Sequence, residues 1–171
     1  MNIQLKLVAI DEKEILRNLL EKYDYEFSQW DKRDVNALGL YGYSYLDYYW
    51  TEENRWAYFI FADDKLAGFA MIIDLPEVDD RPTDFQMAEF FVMHKYRRSQ
   101  VGKQAFFQVL DLHRGKWQLK CHPANQTSGL FWNKVIAEYT NGSYERVNAY
   151  PRTEYADGTL ADVFFFANFL R

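Results

Sequence analysis

The chain has 171 residues, 49% hydrophobic and 26% charged, the size and balance of one globular domain, which excludes wholesale disorder and needs no cross-link to hold a core. Its 20 basic and 25 acidic side chains give a formal charge of −5; this argues against a general nucleic-acid binder, whose affinity rests on cationic neutralisation of phosphates. The single cysteine, Cys121, excludes an internal disulfide framework and a cysteine-only zinc cage, and no metal site is expected.

In chain order, MNIQLKLVAIDEKE has neither a basic n-region nor a long apolar core, so no secretion signal is expected. Residues 3–10 alternate and predict a strand. Asp11 as N-cap with Glu14 three residues later makes a capping-box pattern, and Ile15, Leu16, Leu19 and Leu20 carry a helix to about Tyr23. Residues 37–50 (ALGLYGYSYLDYYW) predict a short helix or an ordered loop. Next, 56–62 and 65–75 flank Asp63-Asp64 as an antiparallel hairpin, 76–84 form a polar turn, and 85–93 a strand buried on at least one face. A helix from Val101, with Ala105 and Val109 beside Phe106 and Leu110, ends at Gly115. A strand over 116–122 stops at Pro123, and a helix covers 127–137 with Thr127 or Asn125 near its cap. Strands at 144–150 and 162–169 accompany turns at Asn141-Gly142 and Asp157-Gly158. The longest strongly apolar stretch, 163–170, is far short of the roughly 20 residues of a membrane helix. The order β-α-(α)-β-β-β-α-β-α-β-β, without repeat or linker, predicts a single α/β domain over 1–171, a mixed sheet with helices on both faces. A cytoplasmic protein with no membrane partner is expected.

Four cations, Lys95, Arg97, Arg98 and Lys103, occur without an acid in FFVMHKYRRSQVGKQA (90–105). They sit between a buried strand and the first turn of a helix, where free backbone N–H groups and the positive end of the helix dipole favour an anion. Gly102 lets a bulky anion approach the backbone with no Cβ in the way. Such a junction is a sound pyrophosphate cradle; a solvated basic turn fits the same residues.

The stretch resembles the cofactor motif of the GNAT superfamily of acyl-CoA-dependent N-acetyltransferases, which runs from a strand valine through Arg/Gln-x-x-Gly-x-Gly/Ala into a helix. Val92 stands at that valine and Arg97-Arg98-Ser99-Gln100-Val101-Gly102 in the loop, with Gln100 replacing the first glycine. A second block, NQTSGLFWNKV, places Asn125 seven residues before Trp132. It is similar to the family's segment in which an asparagine contacts the pantetheine arm and a tyrosine protonates the departing thiolate. Asn125 carries over. Trp132 does not, because an indole N–H donates a hydrogen bond but is no useful acid near neutral pH. The resemblance covers roughly 56–137 well and the rest by element order. It implies a GNAT-like fold and acetyl-CoA as cosubstrate, held by Phe91, Val92, Arg97 through Lys103, Asn125 and Trp132. Splayed strands 85–93 and 116–122 would let pantetheine bond to backbone around Phe90 to Val92, whose N–H groups would also polarise the thioester.

The implied reaction is direct attack by a neutral amine in a ternary complex, and that amine must lose a proton. Glu89, on the strand just before the cofactor contacts, where several family members place a glutamate, is the first candidate base; an ordinary solvent-facing carboxylate is the alternative. His122, at the end of the neighbouring strand, is the second, against a hydrogen-bonded loop histidine. Cys121 has no triad-like partners and reads as a small buried residue; Tyr139 or a water is the substitute acid. Six of the ten residues from Tyr41 to Trp50 are aromatic, more than one element's core face absorbs. Among them Tyr45, Tyr48 and Tyr49, beside Asp47, Glu52 and Glu53, suit a cationic amine on a small molecule or peptide; packing of a helical layer onto the sheet is the alternative. Two further readings stay open. One is a CoA-binding or regulatory module that has lost catalysis, to which Trp132 and Gln100 give weight. The other is an interaction domain, such as a homodimer, with the aromatic surface as its interface.

Overall fold

The structure, a computed structural model, describes residues 1–169. Strands β1 (Ile3–Leu7), β2 (Arg55–Ala62), β3 (Lys65–Ile73), β4 (Phe85–Val92), β5 (Lys116–Cys121), β6 (Tyr144–Val147) and β7 (Asp162–Ala167) alternate with helices α1 (Lys13–Asp31), α2 (Tyr48–Thr51), α3 (Val101–Leu112) and α4 (Gln126–Thr140) in the expected order. No helix among the described residues is long and apolar enough to cross a membrane.

Several boundaries differ from the sequence reading. Helix α1 continues to Asp31, where Lys32 in the left-handed region (φ 61°) ends it. Past Tyr23 it reads DYEFSQWD, with no aliphatic spacing to signal a helix; Phe27 continues the buried face, its ring 5.9 Å from that of Tyr23. The capping box falls on Ala9 and Glu12 instead of Asp11 and Glu14: Glu12 Oε2 accepts the Ala9 N–H at 3.2 Å across a 3-10 turn. Glu14 pairs with Arg17. Helix α4 starts at Gln126, capped by Asn125, whose Oδ1 accepts the Ser128 N–H at 3.1 Å. The Asp63-Asp64 turn has both residues at positive φ, 47° and 62°, matching the right-handed twist of the strands it joins.

One seven-stranded sheet runs in the order β1-β2-β3-β4-β5-β7-β6, antiparallel except for β4 and β5. Leu16, Leu19 and Leu20 of α1 pack on Phe59, Phe69, Met71 and Phe91, with Tyr49 of α2 in the same cluster. The opposite face buries Phe106, Val109 and Leu110 of α3 and Val135 and Ile136 of α4 against Ile72, Trp117 and Phe164. Each such large side chain withdrawn from water contributes roughly 1.5–3 kcal/mol.

Two irregularities position the site. First, β4 and β5 pair only at Phe85–Trp117 and Gln86–Gln118, while β5 stays paired with β7 along its whole length and β4 with β3 to Val92. The strands therefore diverge from Met87 onward. Second, Met71 faces Glu89 but Ile72 faces Met87, so Ala88 is an extra residue, a bulge that bends β4 where the gap opens. The far end of β4 is held close to β3 at Gly68, where a Cβ would overlap the Phe91 carbonyl. Gly68→Ala is expected to cost about 2–4 kcal/mol of stability, read as a lower urea midpoint; a loss under about 0.5 kcal/mol would contradict this close approach.

Candidate active site

The loop after β4 is built around unpaired backbone donors. The Gln104 N–H bonds to the Gln100 carbonyl at 3.0 Å as the first bond of α3. Among the described residues, the N–H groups of residues 98 to 103 have no acceptor within the protein. Arg98 (φ 61°) and Gln100 (φ 70°) both lie in the left-handed region, an alternation that turns successive N–H groups into one concavity, the geometry that receives an anion. The helix dipole adds to it. Of the four cations, two are engaged by acids from elsewhere in the chain. Arg97 makes a bidentate pair with Glu26 of α1, both contacts 2.7 Å, and its Nε donates to the Val92 carbonyl. Lys103 pairs with Glu138 at 2.8 Å. Lys95 and Arg98 are exposed, with no ion pair among the described residues. The Ser99 hydroxyl donates to the Tyr96 carbonyl at 2.6 Å, bracing the loop. Val101 is fully buried against Val92 and Ala105. Gly102 serves packing as well. A Cβ there would meet the Phe131 ring at 3.2 Å and Val92 at 3.6 Å, so the missing side chain lets α3 and α4 approach.

The gap between β4 and β5 exposes more donors. The Met93 N–H bonds to Ala67 of β3, so by strand alternation the N–H groups of Phe90 and Val92 point the other way, into the gap. The Phe91 side chain faces α1, within ring contact of Tyr23 at 5.9 Å. Across the gap, Asn125 spends its Oδ1 on the α4 cap. Trp132 is packed among Phe90, Phe106 and Phe131, with centroids at 5.3, 5.2 and 4.8 Å. Its indole N–H makes no hydrogen bond among the described residues. Tyr139 lies two turns further along α4, donating to Asp111 at 2.7 Å.

On the α1 face of β4, Glu89 sits in a half-closed chamber. The Tyr43 hydroxyl donates to its Oε1 at 3.2 Å, and Tyr23 lies close enough to favour the ionised carboxylate. Burial raises the Glu89 carboxyl to about 7, and the charge of Asp24 adds to the rise; the two tyrosines and Lys120 oppose it. The same burial holds the hydroxyls of Tyr23 and Tyr43 well above the usual phenol range. His122, across the gap, is fully enclosed. Its Nδ1 accepts the Ala124 N–H at 3.1 Å, its Nε2 lies 3.3 Å from Asp157 Oδ2, and Tyr155 covers the ring at 4.8 Å. Cys121 is buried, its thiol pushed up to about 11 by burial.

The aromatic run divides. Tyr49 is buried and Tyr45 and Tyr48 are exposed. Arg55, which follows the run, lies over Tyr48 and Tyr49 at 5.3 and 5.8 Å and pairs with Glu52, and Lys13 reaches Asp47 at 2.7 Å. Cations from within the protein thus already occupy part of the surface expected to hold an amine. Tyr41 instead lines a groove of about 690 Å³ with Glu21, Tyr25, Glu26 and Leu40, which leads to Phe91. Sequence reasoning missed Asp24 and Tyr155 near Glu89, because they come from the unpredicted half of α1 and from a loop; Tyr23, at the end of the predicted helix, and Tyr43, in the aromatic run, were on elements it read but were not linked to Glu89.

The profile of the acetyltransferase (GNAT) family matches residues 15–136. The chain belongs to the GNAT family. No curated protein sequence matches it. Among solved structures, a GNAT-family acetyltransferase from Streptococcus agalactiae superposes with a TM-score of 0.71 at 16% identity, over 97% of this chain and 95% of that one. The PaiA N-acetyltransferase of Thermoplasma acidophilum, solved with coenzyme A, gives 0.64 at 12% identity, over 98% and 100%. The spermidine N-acetyltransferase of Vibrio cholerae, solved with coenzyme A and spermine, gives 0.64 at 12%, over 96% and 95%. At these identities the likeness is one of fold, and the mixed sheet with helices on both faces is the GNAT fold. Against the family motif, Gln100 is the departure with a physical cost: a side chain held at φ 70° is strained by about 1 kcal/mol relative to glycine. Gln100→Gly is therefore expected to raise stability by about 0.5–1 kcal/mol, seen as a higher melting temperature; a lower one would contradict the strain.

Proposed function

We propose that the protein transfers an acetyl group from acetyl-CoA to a primary amine of a small molecule or peptide, by direct attack in a ternary complex. The observation that carries this is the bend of β4. Glu89 lies on one face of the strand, and unpaired N–H groups of Phe90 and Val92 lie along its open edge, continuous with the donors of residues 98 to 103. The loop donors suit a pyrophosphate, and Arg98 adds an exposed positive charge. The strand edge suits the amide groups of a pantetheine arm lying as an added strand. Acetyl-CoA supplies the acetyl group as an activated thioester. An N–H of β4 aimed at the carbonyl oxygen stabilises the charge that develops there.

Glu89 is assigned the base. A carboxyl raised to about 7 is half ionised near neutrality and takes a proton from an ammonium or from the attacking nitrogen, directly or through Tyr43 or a water. The bond between the amine nitrogen and the acyl carbon forms as the carbon–sulfur bond breaks, and the thiolate departs with its electron pair. Trp132 cannot protonate it. His122 is assigned a positioning part, since both its ring nitrogens are engaged.

The packing of Trp132 within an aromatic cage favours the second reading, a CoA-binding module that has lost catalysis. The two separate by assay. In acetyl transfer to an amine, kcat/KM is expected to rise with pH through about 7 as Glu89 ionises, and Glu89→Gln to lose that limb and roughly 100-fold of the rate. Trp132→Phe should keep kcat within about threefold of the parent chain, since the indole supplies no proton. CoA binding with no turnover across an amine panel would instead establish the module.

A further inference from the structure

Tyr49 carries a hydroxyl that packing does not need. Its ring lies in the apolar cluster of Leu16, Leu46 and Phe59, where a phenylalanine would fill the same space, and a buried hydroxyl is costly unless it is hydrogen-bonded. This hydroxyl is in hydrogen-bonding contact with both Tyr43 and Arg55. Arg55 is largely enclosed, its side chain 11% exposed. Its Nε donates to Glu52 Oε2 at 2.8 Å, and its guanidinium lies over the Tyr48 and Tyr49 rings at 5.3 and 5.8 Å. Further guanidinium N–H groups are left for the Tyr49 oxygen.

The donors available fix the direction of these contacts. A guanidinium only donates, so Arg55 donates to the Tyr49 oxygen. The one hydroxyl proton of Tyr43 goes to Glu89 Oε1, at 3.2 Å, so the Tyr49 proton goes to the Tyr43 oxygen. Each link polarises the next, with a cation at one end of the chain and a carboxylate at the other. The remaining groups that act on Glu89 do not extend it. Tyr23 and Asp24 belong to α1 and Lys120 to β5, and Lys120 is paired with Glu77. Arg33 is held by Asp24 and Asp31, and Tyr155 acts from the loop before β7.

We propose that Tyr49 and Arg55 are positioning residues for Glu89, their hydrogen-bonded chain turning the Tyr43 hydroxyl towards the carboxylate and favouring its ionised, proton-accepting form. This rests on the acetyl-transfer reading above, in which Glu89 is the base. Burial pushes the Glu89 carboxyl up and the Tyr43 bond opposes the rise; a chain that keeps Tyr43 from turning away preserves that opposition.

The test reads the Glu89 midpoint in two ways. One is the ascending limb of kcat/KM against pH, followed by CoA release. The other is the titration of the Glu89 carboxyl carbon resonance by NMR in the protein without cofactor, identified by its loss in Glu89→Gln. Tyr49→Phe and Arg55→Met are each expected to move both midpoints up by about 0.5–1 pH unit, which lowers kcat/KM by about 3–10-fold on the acid side of the limb. Combined in one chain, the two substitutions should move the midpoints no further than either alone, because Arg55 acts through the Tyr49 hydroxyl. Additive shifts in the double variant would overturn the proposal. So would a loss of rate that is equal at every pH with both midpoints unmoved, the mark of a purely structural part. Raised carboxyl midpoints in variants of a chain that acetylates no amine would support the hydrogen-bonded chain and defeat acetyl transfer. Acetylation with a limb that neither substitution moves would do the reverse.

Discussion

The whole arrangement depends on a failure of strand pairing. Strands β4 and β5 share hydrogen bonds only at their first residues, while each remains fully committed to its other neighbour. Backbone groups that a continuous sheet would satisfy are left facing a gap, and buried backbone groups do not stay unmatched without reason. The bulge at Ala88 helps sustain this divergence. The loop that follows continues the pattern by starting α3 from two left-handed residues, so that its first donors converge instead of finding partners in the chain. Main-chain amides, fixed by the fold and independent of side-chain rotamers, are thus what the gap and the loop present.

Side chains then set the chemistry on the two faces of β4. On the α1 face burial above all raises Glu89 to titrate near neutrality, the charge of Asp24 adding to the rise and the neighbouring phenols opposing it. The opposite face is sealed by Phe90, Phe106, Phe131 and Trp132. The Arg97–Glu26 pair joins the two regions, because it fastens the loop before α3 to the helix that packs over Glu89. Arg97 is partly shielded and bidentate, so it acts here as a tie between elements, which a reading of the loop as four free cations does not reveal.

How much of this was legible in the sequence follows from what each signal measures. Strand alternation and the spacing of Val101, Ala105 and Val109 report burial, and the element order came through intact. The strand–loop–helix junction was legible because its residues are contiguous, and so were Asn125 at the α4 cap and Glu89 on β4. The second half of α1 was not, since its buried face is aromatic and acidic, and neither Asp24 nor Asp31 reads as buried in sequence. Glu26 and Glu138, which neutralise Arg97 and Lys103, are 71 and 35 residues away along the chain, beyond any local pattern. The steric demand at Gly102 comes from the Phe131 ring on another helix, which no local pattern shows.

Amide hydrogen exchange measured with and without coenzyme A bears most directly on the unpaired main chain. Slower exchange at residues 98 to 103 and at Phe90 and Val92, with the β5–β7 ladder unchanged, is the predicted result. Protection confined to other segments, with these amides exchanging as fast as before, would contradict the account.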